Sequence, residues 1–226
     1  MELFGGDYDY LAGTNLGETH LKPGSARGDD GFKTAKEFYA YAREQLGDLY
    51  DEYDFEKLVP VTDENVDRES RRLASYGLFM NKGRFGALAV NLEFGKRRAE
   101  KAPGRKTYNY LFSRVAPHLP EDIGTPRDPD LLMSWHSNEL WYTFASLRKG
   151  TPPKRPWEEK DFELADKISS YWANFIKTGD PNGEGLPRWE PFNTAPDRVM
   201  ELGDAAAMTA DPWQEIYKVI DKYQNE

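Results

Sequence analysis

Thr107-Tyr108-Asn109-Tyr110-Leu111-Phe112-Ser113-Arg114-Val115 is the stretch on which the fold turns. Aromatic and β-branched side chains dominate it, and helix-breaking residues bound it on both sides, Pro103-Gly104 before and Pro117 behind. That composition suits a pleated, packed surface, so the segment is predicted as a strand over 107–115. On its N-terminal side, 84–99 has a helical stripe in Phe85, Leu88, Ala89, Leu92 and Phe94. On its C-terminal side, a loop rich in Pro and Asp, 116–133, leads to Ser134-Trp135-His136.

The pattern continues outward in both directions. Tyr8-Asp9-Tyr10-Leu11-Ala12 is predicted as a short strand ended by Gly13-Thr14-Asn15. A Gly-, Pro- and charge-rich stretch, 22–31, is expected to be an exposed loop. Helical spacing follows over 34–46, with Gly47 as its stop, and over 63–79. Towards the C-terminus, 161–177 is a strongly amphipathic helix whose Phe162, Ala165, Ile168, Trp172, Phe175 and Ile176 share a face, and Asp161 can cap it. Asp180-Pro181-Asn182-Gly183 is a turn, 198–202 a last strand, and 213–223 a last helix with Ile216, Tyr217, Ile220 and Tyr223 inward. No internal repeat or low-complexity tract interrupts this order. Strand, helices, strand, loop and helix in that sequence predict an α/β fold with few parallel strands and many helices.

Composition excludes several classes of function. Six Trp, 13 Tyr and 12 Phe in 226 residues need a packed core, which rules out a disordered or fibrous chain. Thirty Lys and Arg against 39 Asp and Glu give a net charge of −9. An acidic surface of that kind repels phosphate backbones, and no basic stripe interleaved with aromatics offsets it, so no nucleic-acid partner is expected. With no cysteine, disulfides, thiolate metal sites and a cysteine nucleophile are excluded. No apolar run approaches the roughly 18 residues of a membrane span. The first residues carry neither a basic nor an apolar leader segment, so no signal peptide is expected here. The compartment, cytoplasmic or secreted, stays open.

The search for chemistry is therefore short. His20, His118 and His136 stand singly, without the close His and carboxylate spacing of a metal site. Gly5-Gly6 and Gly183-Glu184-Gly185 lack the rest of a phosphate-binding motif, so no cofactor is expected. Glu18 and His136 are more informative. Glu18 lies just beyond a predicted strand and His136 in the loop after the best one, and α/β sheets assemble their sites at such carboxyl ends. Acid before histidine is also the chain order of the α/β-hydrolase triad, in which a serine precedes both. Taken alone, each residue has a plainer reading: a lone histidine is usually a satisfied loop or core residue, and an acid after a strand is usually solvated.

At these residues the sequence resembles the type-B carboxylesterases, the cholinesterase-like branch of the α/β-hydrolases. Gly13-Thr14-Asn15-Leu16-Gly17-Glu18 is similar to the segment that carries their catalytic acid. His136-Ser137-Asn138-Glu139-Leu140-Trp141-Tyr142-Thr143-Phe144 resembles their histidine segment, a His-Gly-x-Glu-Leu followed by an aromatic run. Tyr171 to Gly183, followed by Leu186-Pro187-Arg188-Trp189-Glu190-Pro191-Phe192, resembles their C-terminal signature, the most specific of the three. The likeness runs over nearly the whole chain in the right order. It implies a Ser-His-Glu triad with Glu18 as the acid and His136 as the base, and a small-molecule ester as substrate; beside them Asn15 and Glu139 are either residues that orient the pair or, equally, plain loop-fixing or salt-bridge groups. Two departures stand out: glycine usually follows both the acid and the histidine, and here the residues are Thr19 and Ser137.

A larger departure is the absence of any Gly-x-Ser-x-Gly nucleophile elbow, or of a Gly-Gly pair after a histidine that would form the oxyanion hole. In the family both precede the acid. The resemblance thus implies a C-terminal portion of an α/β-hydrolase catalytic domain, one unit over 1–226, that is inactive alone and has the N-terminal portion of the same esterase as its partner. A fragment of that kind should leave one edge of its sheet unpaired, and the final helix could serve a homo-oligomer. The rival expectations are a cholinesterase-like binding or adhesion module without catalysis, and a stand-alone structural remnant.

Overall fold

The computed structural model describes residues 6–18, 31–78, 86–149, 155–211 and 213–225. His20, Thr19 and all but the last residue of the loop expected over 22–31 lie outside the described residues, as do the last residue of the helix expected over 63–79 and the first two of the one expected over 84–99. The chain packs as two compact units: residues up to Glu18 with Asn91–Asp211, and Thr19–Val90 with Pro212–Glu226.

The first unit is built on a four-stranded sheet in the order β1 (Tyr10–Asn15), β2 (Thr107–Phe112), β3 (Arg198–Leu202), β4 (Ala206–Ala210). The first three strands are parallel, with Tyr10 opposite Thr107 and Asn15 opposite Phe112, and β4 returns antiparallel to β3. The architecture is α/β, and β1 forms an edge of the sheet.

Every residue of β2 is buried, and the period of two decides what each face meets. Tyr108, Tyr110 and Phe112 enter the aromatic core beneath a long helix, Glu159–Thr178. Thr107 and Asn109 point the other way, to the helix Ala87–Lys101. Arg98 Nε donates to the Thr107 hydroxyl at 3.3 Å, and Asn109 Nδ2 donates to the Asn91 carbonyl at 3.3 Å. The strand stops at Phe112 rather than Val115 because Ser113 and Arg114 both give their N–H to one carbonyl, that of Leu202, which ends the ladder. Likewise β1 runs on to Asn15 rather than stopping at Ala12. Gly13 does not break it, because the Tyr110 ring lies over the place a side chain would fill. The hairpin strand β4 carries three alanines and no strand signal, and its pairing to β3 alone makes it a strand.

In chain order the helices of the first unit, apart from Ala87–Lys101 (α5), are α6 (Pro129–Leu132), α7 (Leu140–Thr143) and α8 (Glu159–Thr178). The helix predicted from Asp161 starts two residues earlier, so Asp161 is its third residue. Its carboxylate reaches back to the Glu158 N–H at 2.9 Å and closes a capping box. The turn after α8 is a clasp. Asn182 Oδ1 accepts from the Trp189 N–H at 2.6 Å while its Nδ2 donates to the Trp189 carbonyl at 3.0 Å. Asp180 accepts from both Asn182 nitrogens and from Lys106. Burial works against its charge, but these donors outweigh it and hold the carboxyl at about 2.

The second unit is helical: α1 (Ala35–Leu46), α2 (Asp48–Glu52), α3 (Phe55–Leu58), α4 (Val66–Tyr76) and α9 (Gln214–Asn225). Thr34 caps α1 by accepting from the Glu37 N–H. Phe38, Phe55, Leu73, Val219 and Ile220 are fully buried. Gln224 donates to the Gly77 carbonyl at 2.9 Å, tying α9 to the end of α4. Among the described residues no helix is long and apolar enough to cross a membrane, and no group of carboxylates and histidines could hold a metal ion.

Candidate active site

Both predicted site segments leave the sheet at the same end. The chain after β1 passes through Leu16 and Gly17 to Glu18, and the loop 134–139 comes to rest beside it. Gly17 and Trp135 form a parallel bridge, and the Gly17 N–H donates to the Ser134 carbonyl at 3.0 Å. A Cβ at Gly17 would collide with the Leu132 carbonyl, so only glycine lets the two loops lie this close. Ser134 is fully buried and joins three backbones: its hydroxyl accepts from the Leu16 N–H at 3.0 Å and donates to the Phe112 carbonyl at 2.7 Å. A buried serine next to a histidine leaves no periodic signal, and its part was missed in the sequence.

Glu18 and His136 meet. His136 Nδ1 donates to Glu18 Oε1, while the other oxygen of Glu18 accepts from the Asn15 N–H at 3.1 Å. Asn15, almost wholly buried, donates Nδ2 to the Trp135 carbonyl at 2.8 Å and to Glu139 Oε2 at 2.5 Å. The four residues singled out in the sequence thus form one hydrogen-bonded cluster. Trp135 packs its ring against Trp141 and under the Arg155 guanidinium, 4.5 Å from the ring centre. His118 lies apart from the cluster, in the loop before Pro120.

The electrostatics follow from this geometry. The hydrogen bond to Glu18, then its charge, raise the His136 pKa above 6.5 against a small opposing effect of burial, and Glu139 adds to the rise. The folded chain therefore holds this proton more tightly than the unfolded one. That contribution is complete below pH 6.5 and is lost as pH rises through the raised midpoint. Burial, then the charges of Glu139 and Glu18, push the Tyr110 phenol up. With Nδ1–H fixed on Glu18, the neutral imidazole presents a bare Nε2, and the side chain is 67% exposed. Such a group can accept a proton from a hydroxyl placed against it and return it to a leaving group.

Ser137 has φ +67°, in the left-handed region, where glycine stands in the resembling segment. A non-glycine residue there costs about 1–2 kcal/mol, and a glycine gives back about 0.4–1 kcal/mol through unfolded-chain entropy. Ser137→Gly is therefore expected to raise stability by about 0.5–1 kcal/mol in urea unfolding, and a loss of that size would show the strain to be absent.

Comparison with known proteins places the chain in a family. The model of the carboxylesterase family matches residues 32–219. The chain belongs to the carboxylesterase family. Liver carboxylesterase of Sus scrofa is 30% identical over 153 residues, 66% of this chain and 24% of that protein. Acetylcholinesterase of Gallus gallus is 34% identical over 116 residues, 49% of this chain and 13% of that protein. Cocaine esterase of Homo sapiens is 38% identical over 86 residues, 38% of this chain and 14% of that protein. The chain thus matches under a quarter of each of these relatives' own lengths.

Proposed function

We propose that this chain supplies the acid, Glu18, and the general base, His136, of a Ser-His-Glu carboxylic-ester hydrolase whose serine and oxyanion hole lie in an N-terminal portion of the same enzyme. The observation that carries the proposal is the His136 Nδ1–Glu18 hydrogen bond, which in the neutral ring leaves Nε2 without a proton on a side chain that is 67% exposed. A serine hydroxyl against Nε2 would lose its proton to His136 as it attacks the ester carbonyl. The resulting imidazolium, stabilised by Glu18, would then protonate the departing alcohol. Asn15 and Glu139 hold the acid loop and the histidine loop in register. A carboxylate held on Nδ1 is what a general base needs, and this favours the esterase reading over a binding module.

The test is complementation. The chain is mixed with, or expressed together with, the N-terminal portion of its enzyme, and hydrolysis of p-nitrophenyl acetate is followed. Activity is expected only when both pieces are present. No activity from a folded complex of the two would support the binding-module reading instead, and an upstream portion lacking Gly-x-Ser-x-Gly would sink the esterase reading.

A further inference from the structure

His136 sits in a loop that is exposed on one side, yet the far side of that loop is tied to a buried Arg114–Asp161 ion pair which the triad does not touch. Arg114 follows β2, and its side chain is 8% exposed. Its Nε donates to Asp161 Oδ1 at 2.8 Å, and its Nη1 to Asp204 in the β3–β4 turn at 2.6 Å. Asp161 is fully buried. The same oxygen accepts from the Tyr142 hydroxyl at 2.9 Å, and the other from the Glu158 N–H. A single carboxylate therefore joins the end of β2, the start of α8 and the short helix α7.

That short helix is the link to the site. α7 begins one residue after Glu139, and Tyr142 is its third residue, fully buried against Phe112 and Trp157. A second tie runs from Asn138, also buried, whose Nδ2 donates to the Arg114 carbonyl at 3.4 Å. A four-residue helix has little stability of its own, so its place depends on what its side chains hold. Buried ion pairs are a weak source of stability, because desolvation offsets the Coulomb attraction, but a fully hydrogen-bonded one fixes geometry.

We propose that Asp161, acting through Arg114 and Tyr142, is a positioning residue that holds α7 and the loop 134–139 so that the His136 imidazole meets Glu18. Its catalytic consequence rests on the triad reading above; the positioning itself does not. The charged groups facing His136 are Glu18 and Glu139, so displacement of the loop weakens the contacts that raise its affinity for a proton.

The experiment reads the His136 ring by NMR titration in the intact chain, with the resonance assigned by its loss in His136→Ala and with His20 and His118 as internal references. The wild-type midpoint is expected above 6.5, and Glu18→Gln should bring it down. Tyr142→Phe, which keeps the ring and removes one hydrogen bond, should lower it by about 0.5 unit or more, as should Asp161→Asn where that variant folds. Val199→Ala, a core change on β3, should lower stability and leave the midpoint in place. A Tyr142→Phe chain that is less stable but titrates at the wild-type midpoint overturns the proposal, as does a wild-type midpoint at or below 6.5. Because the titration needs no partner, a failed complementation assay would count against the triad and leave this result standing.

Discussion

Replacing His136 by alanine is expected to lower ester hydrolysis by the reconstituted enzyme about 10⁴-fold or more, down to the residual rate that binding and an oxyanion hole give without a base. The loss falls on kcat, because in the proposed triad His136 is the group that takes the serine proton. Among the other two histidines, His118 lies outside the cluster and His20 outside the described residues. Glu18→Gln should cost about 10⁴-fold for a different reason: an amide can donate to Nδ1, which places the proton on Nε2 and leaves no base facing the serine. The two variants separate in their pH profiles. Since Glu18 raises the affinity of His136 for its proton, the acid limb of kcat/KM in the wild type is expected on the alkaline side of a free imidazole's. In Glu18→Gln the limb should move to lower pH at a much reduced plateau. Activity indifferent to His136→Ala would remove the triad reading altogether.

The proposed roles of Glu18 and His136 came from the resemblance of their segments; that the two would lie at one end of the sheet was legible in sequence, because β1 and β2 could be placed from turn residues and aromatic content. What holds the two loops together was not. Ser134, Asn138 and Tyr142 act through one or two hydrogen bonds each, to backbone or to a buried carboxylate. Neither period nor composition marks such contacts. Asp161 was visible as a helix-start residue, but its third-position geometry and its pairing with Arg114, 47 positions earlier, depend on tertiary packing.

The fold shows the same division. Long elements with a strong stripe, such as α1, α8 and α9, were placed to within two residues. The misses are short or context-made: β4, whose alanines pair only because β3 is there, the single-turn helices α3, α6 and α7, and Gly13, where an apparent stop is a strand residue roofed by Tyr110. For β4 and Gly13 a neighbour supplies what the local sequence lacks.

Trp189 is where the C-terminal signature acts on the sheet, and Trp189→Ala is expected to destabilise the chain by about 3–5 kcal/mol. The indole is fully buried, and its edge or face meets Tyr108, Tyr110, Tyr171 and Trp172, with ring centres 5.2 to 6.4 Å apart. Its Nε1–H donates to the Asn109 carbonyl at 3.2 Å, so truncation opens a cavity against β2 and leaves that buried acceptor short of a donor. Trp189→Phe should lose less, since much of the ring stacking survives while the hydrogen bond does not. The Asn182 clasp uses only the backbone of residue 189 and should remain in both variants. Urea unfolding gives the magnitude, and hydrogen exchange at Tyr108–Phe112 gives the place. Protection should fall along β2 first, because Tyr108 and Tyr110 both lose a ring packed against them, and β2 leads into the Ser134 anchor through the Phe112 carbonyl. A loss below about 1 kcal/mol would mean that α8 and β2 close over the gap, and would make the signature a matter of turn geometry rather than of core.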